Sequence, residues 1–198
     1  MGTRNLTMVI ANGETKVAQY GQWDGYPDIQ GVTALEFLRN VDLAKFKEKI
    51  LTMKWLSKED AETIDKLPGV LWKKLHPYLS RDRGADILNL IMNGWYKSGR
   101  DKIIFGGEIL GLIDSSAFAG DSLSNEWTYV IDLDKNTFEI YSGFNKSPLP
   151  EGERFSHLKD EYKASSSTYY PVKHMKTYSL TELPTEEEFI KDFEPAEK

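Results

Sequence analysis

Arginine, amide, aromatic and carboxylate side chains gather twice in the first thirty residues. Arg4 and Asn5 precede one candidate strand, and Gln22, Trp23, Asp24, Tyr26 and Asp28 follow the next. The strands that must join them are residues 6–10 and 15–20, separated by Asn12-Gly13, a strong signal for a tight hairpin turn. A hairpin lays the start of its first strand beside the end of its second, so Arg4 and Asp24 are expected to be neighbours. Two large aromatics between glycines, with a carboxylate, an arginine and amides, are the materials of a small-molecule pocket wall. The same residues also read as an Arg–Asp pair locking a loop over the core, with Trp23 and Tyr26 as its plug. Spacing alone leaves both readings open.

A second candidate is Ser80-Arg81-Asp82-Arg83-Gly84, where two guanidinium forks flank a carboxylate beside an expected helix start. Arg81 could clamp an anionic ligand there, and a local cap by Asp82 is the plainer alternative. Other signals do not hold up. Gly106 and Gly111 have phosphate-loop spacing, but Leu112 and Ile113 stand where Lys and Ser or Thr are needed. Asp132-Leu133-Asp134-Lys135-Asn136 mimics a calcium loop, yet Thr137 occupies the position of the sharp-bend glycine, and a hairpin turn explains it better. His76, His157 and His174 lack metal-ligand spacing, and no base accompanies Ser122 or Ser124. Neither metal nor cofactor is expected.

The elements that position these residues follow from pattern. Residues 33–102 read as helical: Thr33 to Glu36 fits a capping box, Asp42 a helix cap with Leu43, Phe46 and Ile50 on one face, and residues 57–60 another start. Asp82 or Asp86 would cap a helix with an apolar stripe of Ile87, Leu88, Leu90, Ile91 and Trp95. Strands are expected at residues 102–105, 127–133, 137–141 and 169–180. Strands, then helices, then antiparallel strands make an α+β fold: one domain over residues 1–180 and an acidic tail, 181–198, with a short helix docked by Phe189, Ile190 and Phe193.

The 198 residues carry a net charge of -6, unevenly spread. The tail holds seven acids against Lys191 and Lys198, whereas residues 43–102 hold 13 Lys or Arg against eight acids. Overall acidity argues against non-specific nucleic-acid binding. No apolar run is long enough to span a membrane, and there are no cysteines, which excludes disulfides and thiolate chemistry and fits a reducing, cytoplasmic setting.

Residues 2–7 (GTRNLT), 18–27 (AQYGQWDGYP) and 126–133 (EWTYVIDL) resemble a family of bacterial and bacteriophage proteins to which no settled activity belongs. The resemblance implies a phage-type binding protein in the host cytoplasm. It would hold a small polar or anionic molecule, or a host protein, at Arg4, Gln22, Trp23, Asp24, Tyr26 and Arg81, in a counter-defence setting. The opening also resembles, more distantly, the N-terminal-nucleophile amide hydrolases of the choloylglycine kind, with Asp24 matching the aspartate near the nucleophile's amine. That likeness implies an αββα sandwich. Removing Met1 exposes Gly2, however, so only a chain processed to Thr3 would carry a nucleophile. Gln22 also stands where those enzymes have arginine. Binding is therefore the leading expectation and amide hydrolysis the alternative.

Overall fold

The computed structural model of the chain describes residues 2–69, 83–98, 102–105, 111–159 and 168–194. Arg81, Asp82, His76 and residues 106–110 of the glycine-rich segment lie outside these.

The expected first hairpin forms. Strands β1 (Asn5–Ala11) and β2 (Glu14–Gly21) pair antiparallel around a turn in which Asn12 and Gly13 both take positive φ. Both central residues of such a turn must be left-handed to match the twist of the strands, which is why Asn-Gly marks it. A π-helical turn (Pro27–Gly31) runs directly into α1 (Val32–Asn40). Thr33 consequently does not cap α1. The helical winding starts one turn earlier, where Ile29, Gln30 and Gly31 donate to the Tyr26 carbonyl, and the Thr33 hydroxyl turns back to Ile29 O at 2.8 Å. Asp42 does cap α2 (Leu43–Leu51), accepting the N–H of Ala44 and Lys45. Ser57 and Asp60 form a reciprocal capping box at α3 (Lys58–Asp65).

Helix α4 (Asp86–Asn93) buries Ile87, Leu88, Leu90 and Ile91 as expected, but Asp86 lies in its first turn and Ala85 is its cap. Gly94, at φ 70°, stops the helix, so Trp95 leaves the stripe and opens β3 (Trp95–Ser98), which pairs with β4 (Lys102–Phe105). Then come a 3₁₀ turn (Ser116–Gly120), β5 (Trp127–Asp132), β6 (Thr137–Ser142), a second 3₁₀ turn (Ser156–Lys159), β7 (Lys173–Ser179) and α5 (Glu186–Lys191).

The architecture is α+β, built on one open five-stranded sheet in the order β2-β1-β5-β6-β7. The sheet is mixed, not wholly antiparallel: β1 and β5 run parallel, from Asn5 opposite Trp127 to Ile10 opposite Asp132. Such a pair needs a long crossover, and the helical middle of the chain supplies it. Both faces are covered. Val9, Val17, Tyr129, Ile131, Phe138 and Ile140 face the helices, while Leu6, Met8, Ala18, Val130 and Tyr141 face Ala119, Phe155, Leu158 and Val172 of the irregular segments. Burial on two faces makes β5 read as a continuous apolar run. On the Leu6 and Met8 face, the described residues packed against the five-stranded sheet come from irregular segments. Short 3₁₀ turns and loops occupy that side.

Candidate functional site

The loop after β2 is held from several directions. Gly25 donates its N–H to the Thr3 carbonyl at 2.9 Å, and its own carbonyl accepts the phenol of the fully buried Tyr129 at 2.7 Å. Burial pushes the Tyr129 phenol well up, helped by the nearby Asp28 carboxylate, so it stays a donor. Asn5, wholly buried, donates to the Trp23 carbonyl at 3.3 Å. A Cβ on Gly25 would come within 2.9 Å of the Asn5 side chain and 2.8 Å of the Thr3 carbonyl, so the loop closes this tightly only on glycine. The Asn5 Oδ1 and Thr7 Oγ1 atoms are buried with no hydrogen-bond partner. From the next turn, Gln30 accepts the Ala85 N–H at 2.6 Å and ties the loop to the start of α4. So anchored, Asp24 sits at φ 55°, a left-handed conformation that Asp tolerates better than most residues.

This loop, α1, the head of α2 and α4 enclose a groove of ≈ 820 Å³. Its polar lining comes from Asp24, Gln30, Thr33, Glu36, Asn40, Asp42, Asp86, Asn89 and Asn93, and its apolar lining from Ile29, Phe37, Val41 and Met92. Several of the polar groups already serve the fold. Asn40 donates to the Glu36 carbonyl, Asn93 to Asn89 Oδ1, and Asp42 caps α2. Asp24 and Glu36 form no ion pair among the described residues.

Of the residues expected to form a pocket, Trp23, Asp24 and Tyr26 share the loop, and Asp24 lines the groove. Trp23 and Tyr26 are 53% and 50% exposed. Arg4 lies on the neighbouring strand start, its carbonyl accepting the Glu126 N–H, but its side chain makes no ion pair with Asp24. The backbones are adjacent, as a hairpin requires, while the side chains are not paired. Gln22 is occupied by the Tyr20 hydroxyl at 2.7 Å, and Thr3 is buried. Sequence reasoning missed Gln30, Glu36, Asn40, Asn89 and Asn93. A signal was present: Thr33, Glu36 and Asn40 form a polar stripe on α1 opposite Leu35 and Leu38, and Asn89 and Asn93 stand one turn apart on α4.

A second charged cluster lies under the loop before β7. Arg154 Nη2 reaches Asp132 at 2.7 Å and Glu139 at 2.8 Å, its Nε reaches Glu139 at 2.9 Å, and the Tyr141 hydroxyl donates to Glu139 at 2.6 Å. Asp132 also accepts the N–H groups of Asp134 and Lys135 in the hairpin turn expected between β5 and β6. Burial raises the Glu139 pKa, but the bonds from Arg154 and Tyr141 outweigh it and hold the carboxyl below its usual range. The Tyr141 phenol is pushed up by burial and by Glu139. With its carboxylate oxygens engaged, the cluster ties a loop to the sheet. His174 bonds Thr177 and stacks edge-on to Tyr141, and among the described residues no group of three metal-binding side chains is found. No described helix is long and apolar enough to cross a membrane.

Comparison of the chain with protein-family models, with curated proteins and with solved structures finds no match.

Proposed function

We propose that the chain is a binding protein whose small polar ligand sits in the groove between the Asp24 loop, α1 and α4. The observation that carries the reading is a groove of ≈ 820 Å³ bordered by a loop pinned at Gly25, Asn5 and Gln30. That volume falls within the roughly 300–1,000 Å³ of small-molecule sites, and a fixed wall spares the ligand the cost of ordering it. Nine of its thirteen lining residues are polar, which suits a polar ligand more than an apolar one. The phage-type setting, in the cytoplasm of a bacterial host, belongs to the same proposal and rests on the motif resemblance alone.

Amide hydrolysis from a processed Thr3 finds less support. Thr3 is buried, its carbonyl is held by Gly25, and among the described residues no side chain hydrogen-bonds its hydroxyl.

A ligand-observed NMR screen of a mixed fragment library against the wild type and Asn89→Trp tests the proposal. The half-buried Asn89 faces the groove, so an indole there fills it. Hits that vanish with Asn89→Trp are expected. Hits indifferent to it, or none at all, would overturn the groove as the binding site.

A further inference from the structure

The groove's carboxylates come from four different elements: Asp24 from the loop, Glu36 from α1, Asp42 at the head of α2 and Asp86 in the first turn of α4. No lysine or arginine is among its described lining residues. Asp42 is committed to its cap and to Lys45, 3.6 Å away, and Asp86 already has a partner. Asp24 and Glu36 keep carboxylates without an ion-pair partner among the described residues. An anion entering this space would meet the carboxylates of Asp24 and Glu36 and no lysine or arginine among the described lining residues, whereas a positive head group is favoured there.

The carboxylates surround the groove instead of meeting at a point. Among the described residues no three of them come close enough together to hold a metal ion. That spacing suits an extended organic cation. The rest of the lining fits its body: the half-buried Val41 and Met92 offer apolar surface beside Ile29, which is 44% exposed.

We infer that the groove binds a small organic cation, an amine or guanidinium on an apolar body, with Asp24 and Glu36 taking the charge. This inference rests on the groove being the binding site, and it replaces the anionic ligand suggested by Arg4 and Arg81 with its opposite. Lys146 or another basic side chain of a second copy presents the same head group, and a charge-matched small probe separates that source from a free ligand.

The test uses three probes with one body: phenethylamine, phenethyl alcohol and phenylacetate, titrated into ¹⁵N-labelled full-length chain. The amine is expected to shift amides around Asp24, Glu36 and Asn89 and to bind more tightly than the alcohol, with phenylacetate weakest. Its affinity should fall about three- to tenfold in Glu36→Gln, and similarly in Asp24→Asn, and should weaken as salt is added. Glu36 is exposed and its side chain bonds nothing in the described fold, so Glu36→Gln retains the structure, and Asn is at home at the φ of Asp24. Equal binding of the three probes, or preference for phenylacetate at these same amides, would overturn the cation and leave the groove standing. Fragment hits sensitive to Asn89→Trp with no response to the amine would do the same. Concentration-dependent dimerisation abolished by Glu36→Gln, without amine binding, would assign the charge to a second copy and overturn the free ligand. If neither fragments nor probes respond to Asn89→Trp, the groove and the inference fall together.

Discussion

At the scale of single residues, the N-terminal loop is decided by contacts that leave no room. The Trp23 indole lies on Gly2 so closely that a Cβ at position 2 would collide with the ring and come within 2.7 Å of the Gln22 carbonyl. An N-terminal nucleophile at that position and Trp23 in this position therefore exclude each other. Gly2→Cys should expel the indole and cost about 1 kcal/mol, the low end of overpacking because the ring is half-exposed. The check is the displacement of one indole N–H resonance with a lower urea midpoint, and the loss should disappear in Gly2→Cys/Trp23→Ala. Tyr129 makes the opposite kind of contact. Removing its hydroxyl in Tyr129→Phe leaves the Gly25 carbonyl without that donor inside the fold, at a cost of about 1–3 kcal/mol. Limited proteolysis should then cut near residues 22–26 faster than in the wild type. An unchanged cleavage pattern would mean that Gly25 N–H and Asn5 hold the loop alone.

At the scale of elements, the Arg154 cluster shows how a loop is bound to two strands by charge. Asp132 and Glu139 are buried, and removing the guanidinium in Arg154→Met strands both, which costs about 3–5 kcal/mol at neutral pH. The pH dependence has a definite sign. Glu139 has a folded pKa below its ordinary 4.5, so its stabilising contribution is complete above that value and fades as pH falls through the folded one. Without Arg154, only the bonds from Tyr141 and Thr137 oppose burial, and the carboxyl protonates at higher pH. Urea midpoints measured from neutral to acid should converge for the two proteins as pH drops, since protonation relieves the stranded charge in the variant. A constant gap would show that Arg154 acts by packing. None of this was legible in the sequence, because Arg154 is bound to residues 15 and 22 positions away in a loop without pattern. Local signals were legible: Asn12-Gly13, Asp42, Ser57 with Asp60, and the stripe from Ile87 to Ile91 each dictate one turn, cap or face. The parallel pairing of β1 with β5 was not, since strand order is set by a crossover of more than a hundred residues. The groove was half legible. Asp24 stood out among its aromatics, but Glu36 and Asn89 become neighbours of the site only when α1 and α4 pack on the same sheet face.

At the scale of the whole molecule, the acidic C-terminal segment decides whether the chain unfolds as one unit or two. Helix α5 is opened by a capping box between Thr185 and Glu188, and its charge gives no reason to leave solvent. Phe189 supplies the reason. It is fully buried, stacks on Phe138 at 5.9 Å and contacts Tyr178 and Phe193, inside the core cluster that also holds α1, α2 and α4. Asp192 then accepts the Tyr178 phenol at 2.6 Å and pairs with Lys176 at 2.6 Å, fastening the helix to edge strand β7. Those bonds hold the Asp192 carboxyl below its usual range, the Lys176 contact first. The pair is partly exposed and contributes little by itself, so the docking energy lies in the aromatic ring. Truncating Phe189→Ala should lower global stability by about 3–5 kcal/mol, because the cavity opens in the middle of the helix layer. It should do so in one transition, with far-ultraviolet dichroism and tryptophan fluorescence moving together as urea is raised. An appended tail predicts something different: an early loss of a little helix, followed by a main transition at the wild-type midpoint. The first outcome also bears on the groove. Phe189 packs against the turn at Gly31 that leads into α1, so a chain that melts as one unit places the C-terminal helix among the supports of the ligand's wall.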